Sequence, residues 1–413
     1  MRLLLLAAVA ASSALATPAW PQQPAPVEEA TPATPLTLRE AIRIALDAGP
    51  DVGAARQALA AAQAGVGVAA QRPNPELALE RAKETPRDAA GLTFTLETGG
   101  KRGRRIGIAE AGARVAAAEL ATVEQEVRLR TRRAYVALAG AEAQVVLTER
   151  QRELAGRIRD AAQARFETGD RPRLDLVQAE LALAQAAVDA DAARGATAGA
   201  RAELAVLLGL PAEAPIVLAD ESAGPPLPDA AALRQLALAE SAEIARLRQE
   251  VDEQQATLAL AQAQRVPDLA VTPSATHDSP PEFEWGWRAG LAFVVPLFHN
   301  YRAEVDAERY RLAQRQSELL AAQRRIEGEL ARAVALAESA RRTDAVYREQ
   351  VLPKTEEVER MAEDSYRSGQ SGLEALTLSL QAAAETRAKA LQARLDYQAA
   401  LADLEQAVGA PLP

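Results

Sequence analysis

The chain has 413 residues, no cysteine, 3% aromatic residues and a formal net charge of −10. The acidic balance argues against nucleic-acid binding, and the missing cysteines leave no disulfide framework and no thiol nucleophile. Ala, Leu, Glu, Arg and Gln dominate, the composition of long helices rather than of a conventional globular core.

Residues 1–16 read as a secretory signal peptide. Met1-Arg2 leads into the apolar run Leu3 to Ala11, and Ala14-Leu15-Ala16 supplies a small-residue site with cleavage expected before Thr17. No cysteine follows that could carry a lipid. Residues 17–35 hold six prolines among Gln, Ala, Thr and Glu, and read as an extended tether. No later segment has the length and apolarity of a transmembrane helix.

Thr37 and Glu40 form a capping-box pattern that opens a helix expected to run to about Ala70, where Pro73 and Pro75 stop it. Between Glu76 and Thr98 the period becomes alternating. Leu77, Leu79, Leu92, Phe94 and Leu96 point one way, and Thr93, Thr95 and Glu97 the other, which predicts two strands around the polar stretch 83–90. From about Arg105 to Phe166 no proline interrupts a heptad-like run, Leu120, Val123, Val127, Ala134, Leu138, Ala141 and Val145. Such a helix would be ~90 Å long. A short Gly-containing break then leads into a return helix, about 171–208, closed by Gly209-x-Pro211.

After a linker over 212–228 the same grammar repeats. Phe166 and Gly169 reappear as Tyr366 and Gly369, Leu176 as Leu376, Leu204 as Leu404, and Gly209-x-Pro211 as Gly409-x-Pro411. The Ala-rich segment ending at Arg72-Pro73 has its counterpart ending at Arg265-Val266-Pro267. The mature chain is therefore two tandem copies, 36–211 and 229–411, and a unit this long present twice indicates internal pseudo-symmetry rather than a solenoid. In each copy the first and last helices together match the long one in span, so each half is expected to be one long helix beside two short ones stacked end to end.

The second strand pair, about 268–296, carries the membrane signal. Leu269, Val271 and Pro273 alternate before a loop at 277–282, and Trp285, Trp287, Ala289, Leu291, Phe293 and Val295 after it. Six of the fourteen aromatic residues lie between Phe283 and Tyr301. Strands of this length with apolar-out alternation and clustered aromatics fit a membrane β-sheet with interfacial girdles, formed here by Phe283, Trp285, Trp287, Phe293 and Phe298. An edge strand of a soluble sandwich is the blander reading. Four strands cannot close a barrel, and open edges are not tolerated in lipid, so the membrane reading requires oligomerisation; three copies give twelve strands.

With the signal peptide, the two-fold repeat, the strand pairs and the paired aromatic-x-x-Gly hairpins in place, the chain resembles the TolC-like outer-membrane efflux proteins from about Leu36 to Pro411. Phe166-x-x-Gly169 with Leu174-Asp175-Leu176, and Tyr366-x-x-Gly369 with Leu373-Glu374, resemble that family's periplasmic tip motif. Glu97-Thr98-Gly99-Gly100-Lys101-Arg102 is similar to the corresponding stretch of its heavy-metal (CzcC-type) branch. The resemblance implies a mainly α fold with membrane β: a homotrimer whose twelve-stranded barrel in outer-membrane lipid continues into an α-helical tunnel across the periplasm. It also implies a periplasmic adaptor and an inner-membrane resistance-nodulation-division pump as partners, and heavy-metal cations as cargo. Drug efflux through the same fold is the alternative cargo, and a periplasmic coiled-coil scaffold the alternative class.

Under that resemblance Asp175 and Glu374 fall at the narrow periplasmic opening, where an acidic ring would favour cations; the plain alternative is that both acids favour the starts of their return helices. Phe166, Gly169, Tyr366 and Gly369 fall at the adaptor-docking tips, or simply punctuate the hairpins. The spacing from Gly169 to Asp175 exceeds that from Gly369 to Glu374 by one residue, so the two tips are not interchangeable. Lys101, Arg102, Arg104 and Arg105 either meet lipid phosphates or begin a solvated helix. His277 and His299, the only histidines, have no cysteine companions, and no metal site or cofactor is expected. With no nucleophile constellation and no nucleotide loop, no enzyme is expected either. Pro353 interrupts the second long helix and predicts a kink near its tip.

Overall fold

The computed structural model describes residues 35–84, 86–169, 172–219, 229–279, 281 and 283–410. The signal peptide, nearly all of the tether, and the linker from residue 220 lie outside them. In chain order the elements are α1 (Leu38–Ala48), α2 (Pro50–Ala69), β1 (Glu76–Arg81), β2 (Asp88–Leu96), α3 (Lys101–Glu167) and α4 (Arg173–Leu207). The second repeat gives α5 (Ala230–Glu240), α6 (Ala242–Ala263), β3 (Leu269–Ser279), β4 (Phe283–Phe293), α7 (Arg302–Val346), α8 (Leu352–Arg367) and α9 (Leu373–Val408). At 67 residues α3 is about 100 Å long.

The single helix expected over 37–70 is two. Thr37 and Glu40 form the capping box, but Gly49 turns extended ahead of Pro50, whose ring disfavours a helical residue before it. The second repeat breaks in the same place without a proline. Ser241 adopts the extended conformation, and its hydroxyl accepts a hydrogen bond from the Ile244 amide, capping α6. Both breaks lie where the return helix arrives. A Cβ on Gly209 (φ +71°) would stand 3.2 Å from Ala48 Cβ, and one on Gly409 (φ +81°) would stand 3.0 Å from Ser241 Cα. The short helices therefore abut end to end alongside the long one, as the lengths require.

Two apolar clusters bind these junctions to the middle of the long helices. One gathers Ala45 and Val52 with Val127, Ala134, Leu138, Leu204 and Leu208; the other gathers Leu233 and Ile244 with Ile326, Leu330, Leu404 and Val408. Tyr135 Oη lies 3.0 Å from the Leu36 carbonyl oxygen, and Leu36 forms a parallel bridge with Leu218, so the start of the first repeat is stitched to the stretch that follows its end. Nearer the strands α2, α3, α6 and α7 pack side by side in that order, and towards the hairpin tips α4 packs on α3, α3 on α9, and α9 on α8. Repeat one always precedes repeat two across this ribbon.

The strands form one antiparallel sheet in the order β1-β2-β3-β4, so the two repeats meet at the β2–β3 pair. The register places Leu77 opposite Leu92, Phe94 opposite Val271, Leu96 opposite Leu269, and Leu269 opposite Phe293. Directly opposed residues share a face. One face therefore carries Leu77, Leu79, Leu92, Phe94, Val271, Trp285, Trp287, Leu291 and Phe293, while the other carries Thr93, Thr95, Thr272, Ser274, Arg288 and Gly290. On that second face the hydroxyls of Thr93 and Thr272 are 3.1 Å apart.

The kink expected at Pro353 takes the form of a π-turn, Tyr347–Val351, between α7 and α8. A proline would clash with the carbonyl four residues earlier, and one turn of wider helix relieves that conflict. The extra residue also shifts the helix phase. Ile326, Leu330, Ala333 and Ala337 are buried at heptad spacing, a pattern that would next bring Val358 and Met361 inward. They are instead 52% and 65% exposed, and Ala362 and Tyr366 pack inward in their place.

Candidate functional site

A continuous apolar face exposed over four strands marks the first functional region. Trp285 and Trp287 lie at the loop end of the sheet, Trp287 with 86% of its surface exposed, and Phe293 lies at the opposite end. Phe298 is fully exposed just beyond β4. Phe283 opens β4. With eleven residues each, β3 and β4 would reach ~37 Å untilted, enough to cross the apolar slab at the tilt that barrels require. No described helix is long and apolar enough to cross a membrane.

Below the sheet lies a polar joint. Glu97 pairs with Arg105, whose Nε donates to the Ala69 carbonyl at 3.0 Å and whose Nη2 donates to that of Gln71 at 2.9 Å. Arg102 Nε donates to the Ala70 carbonyl at 2.8 Å. These cations satisfy the carbonyls at and just past the end of α2 and oppose its negative end. On the other side, Lys101 Nζ lies 2.8 Å from Asp268 Oδ1, which also accepts from the Thr98 amide at 2.9 Å. The basic stretch is thus consumed in fastening α2, the head of α3 and the start of β3 together. Lys101, Arg102 and Arg105 serve this joint, and Arg104 is left exposed.

At the far end the two tips differ. Gly169 (φ +74°) and Gly369 (φ +76°) both make left-handed turns with open space around them. Phe166 is 39% exposed, whereas Tyr366 is 7% exposed and packs against Leu154, Ile158, Ala362, Leu376 and Leu380. The guanidinium of Arg165 sits 4.2 Å above the Tyr366 ring, and its Nη2 donates to the Tyr366 carbonyl at 3.4 Å. The pair locks the first hairpin to the second, so Tyr366 is a fixed point of the tip rather than an open docking surface. Its environment explains the difference: the phase shift of α8 rotates it inward.

Asp175 and Glu374 stand in the first turns of α4 and α9. Asp175 is half-buried and Glu374 exposed. Between the hairpins runs a trough of about 620 Å³ with Leu147, Leu154, Ile158 and Leu380 in its walls; Glu374 lines it together with Arg150, Glu359 and Arg387, and Asp175 does not. Of the two acids, only Glu374 borders the trough within one chain. The histidines are apart. His277 lies against Trp285 with ring centres 4.5 Å apart, and His299 stacks on Tyr301 at 4.4 Å. Among the described residues no group of three His, Cys, Asp or Glu side chains could hold a metal ion.

Sequence reading missed the contacts between repeats: Arg165 on Tyr366, Arg132 with Glu405, and Arg133 with Asp403 at 2.6 Å. Single charges on long polar faces carry no periodic signal that would single them out.

A lipid-facing sheet fastened to a ribbon of helices about 100 Å long defines a channel protein of the bacterial outer membrane. The chain belongs to the outer membrane efflux protein family, which matches residues 41–210 and 233–410. It is 27% identical over 389 residues to the cobalt-zinc-cadmium resistance protein CzcC of Cupriavidus metallidurans, covering 92% of this chain and 90% of that one. Among solved structures it resembles CusC (TM-score 0.76, 18% identity, 90% of this chain and 92% of that). It also resembles VceC of Vibrio cholerae (TM-score 0.76, 17% identity, 91% of this chain and 97% of that). The protein is an efflux channel of TolC-like fold, set in the outer membrane and extending into the periplasm, and not an enzyme. Members of the family form trimers and act in tripartite systems with an adaptor and an inner-membrane pump.

Proposed function

We propose that this channel is the outer-membrane duct of a heavy-metal cation efflux system. The observation that carries the cargo is the relation to a cobalt-zinc-cadmium resistance protein along nearly the whole of both chains. A passive duct needs no tight metal site, because tight binding slows exit. Three copies close twelve strands into a barrel, and the tips face a periplasmic adaptor and a resistance-nodulation-division pump. Phe166 and the turns at Gly169 and Gly369 offer the open docking surface, with Tyr366 holding them in place. Asp175 and Glu374, contributed by three copies, form the acidic constriction.

Two measurements test this reading. A deletion strain is expected to become sensitive to zinc, cadmium or cobalt and to stay resistant to drugs and detergents; drug sensitivity alone would retain the duct and reject the metal cargo. Asp175→Ala combined with Glu374→Ala is expected to raise single-channel conductance and weaken cation preference in planar bilayers. Unchanged conductance would place the narrowest ring elsewhere.

A further inference from the structure

The contact between the two repeats inside one chain is a template for the contact between chains. Repeat one meets repeat two along a single edge, through β2 on β3 and the head of α3 on the end of α6. Each copy then ends with two unpaired edges, β1 with α2 on one side and β4 with α7 on the other. Edges of this kind join head to tail and close into a ring. The following inference rests on the trimer proposed above and specifies how its members recognise each other.

The equivalences come from the chain itself. Pro267-Asp268-Leu269 at the start of β3 matches Pro75-Glu76-Leu77 at the start of β1. Strands β2 and β4 end at Leu96 and Phe293. Helices α3 and α7 are both preceded by a left-handed residue, Gly100 (φ +71°) and Tyr301 (φ +57°), so Lys101 matches Arg302. Within the chain Leu96 pairs with Leu269, Phe94 with Val271, and Lys101 with Asp268. We infer that between chains Phe293 pairs with Leu77 of the next copy, Leu291 with its Leu79, and Arg302 with its Glu76.

Two independent features agree with this register. Phe293, Leu291, Leu77 and Leu79 all belong to the apolar face of the sheet, so the transferred pairing keeps that face continuous around the ring; a slip of one residue would put an apolar side chain opposite the polar face. The charges are also complementary and unused. Arg302 and Glu76 are both exposed, and neither side chain has an ion-pair partner among the described residues, although their counterparts Lys101 and Asp268 are 2.8 Å apart. The second joint, 294–301, is longer than the first, 97–100. Its additional residues include Leu297 and Phe298, which are exposed. Both ends of that joint stay anchored, by β3–β4 pairing and by α6–α7 packing.

The absence of native cysteine makes the test direct. Leu77→Cys with Phe293→Cys is expected to give covalent dimers and trimers after oxidation on non-reducing denaturing gels. Either single variant, and Leu77→Cys with Leu291→Cys, should give monomer. Glu76→Arg and Arg302→Glu are each expected to lower the temperature at which the unheated trimer band disappears, and the double exchange to restore it. A heat-dissociable trimer that cross-links through the shifted pair, or shows neither cross-linking nor charge-exchange rescue, overturns this contact and leaves the trimer standing. A chain that is monomeric in every assay overturns both.

Discussion

Glu253 shows how a single side chain bears on the stability of the tunnel wall. It lies on α6 with an Oε1 only 3.2 Å from where a Cβ on Gly112 of α3 would be, so the missing side chain at 112 is what lets the carboxylate lean onto α3. Burial pushes its pKa above the ordinary value of 4.5; Glu250 adds to the rise, Arg315 opposes it, and Glu119 adds a little more. Arg315 cannot offset the burial because it is shared, lying 3.2 Å from Glu250 and 3.0 Å from Glu318. A carboxyl group with a raised folded pKa is protonated in both states at low pH and contributes no penalty there. As pH rises through the unfolded value, the unfolded chain loses its proton first, and folding is disfavoured from there through the folded value and above. Glu253→Gln is therefore expected to stabilise the protein at neutral pH, by under about 1 kcal/mol for a partly solvated group. Thermal unfolding across pH should show the gain vanish below the ordinary glutamate range; a gain independent of pH would assign it to packing.

At the scale of the helix, the π-turn sets which residues face the tip. Its one extra residue turns Val358 and Met361 outward and brings Tyr366 under Arg165. Inserting one alanine after Thr355, beyond the turn, should rotate the rest of α8 by about 100°. Val358 and Met361 would then turn inward, Tyr366 would leave its pocket, and the bond between hairpins would be lost. The expected result is a trimer of normal abundance with a leaky tip, read as sensitivity to large antibiotics and as higher conductance. Deleting Glu349 should change little, because it removes the turn's extra residue and leaves Ala362 and Tyr366 on the uninterrupted heptad. A sealed channel after the insertion would show that the phase of α8 does not hold the tip. Pro353 announces an irregularity in the sequence, but nothing local announces its direction: the shift is fixed by Tyr366, whose partners Leu154 and Ile158 come from the other repeat.

For the whole molecule, the elements legible in the sequence were those written in periodicity. Alternation gave the strands, heptads the long helices, and Gly-x-Pro the ends of the returns. Gly49-Pro50 does write a break into the sequence, one that the Ala-rich run to Ala70 masks; the break at Ser241 has no proline to mark it and lies where the end of α9 arrives at Gly409. The joint was open in the sequence for a related reason. Lys101 and Arg105 read equally as lipid anchors or as a solvated helix start until Asp268 and the carbonyls at the end of α2, far away in sequence, are placed beside them.

Alternation also predicts how the two faces of the sheet respond to the same substitution. Leu291 faces outward, opposite Val271, and Thr95 faces inward, opposite Ala270. An arginine at a lipid-facing position must be buried in hydrocarbon, at a cost of roughly 2–4 kcal/mol at the midplane that falls towards the interface where Leu291 lies, whereas one on the lumen side stays hydrated. Leu291→Arg is expected to deplete the trimer from the outer-membrane fraction several-fold. Thr95→Arg should leave its amount unchanged and shift ion selectivity towards anions, because it places three positive charges in the barrel of a trimer. Equal depletion by both variants would mean that the apolar face is buried against protein. The channel would then reach the membrane by some other surface.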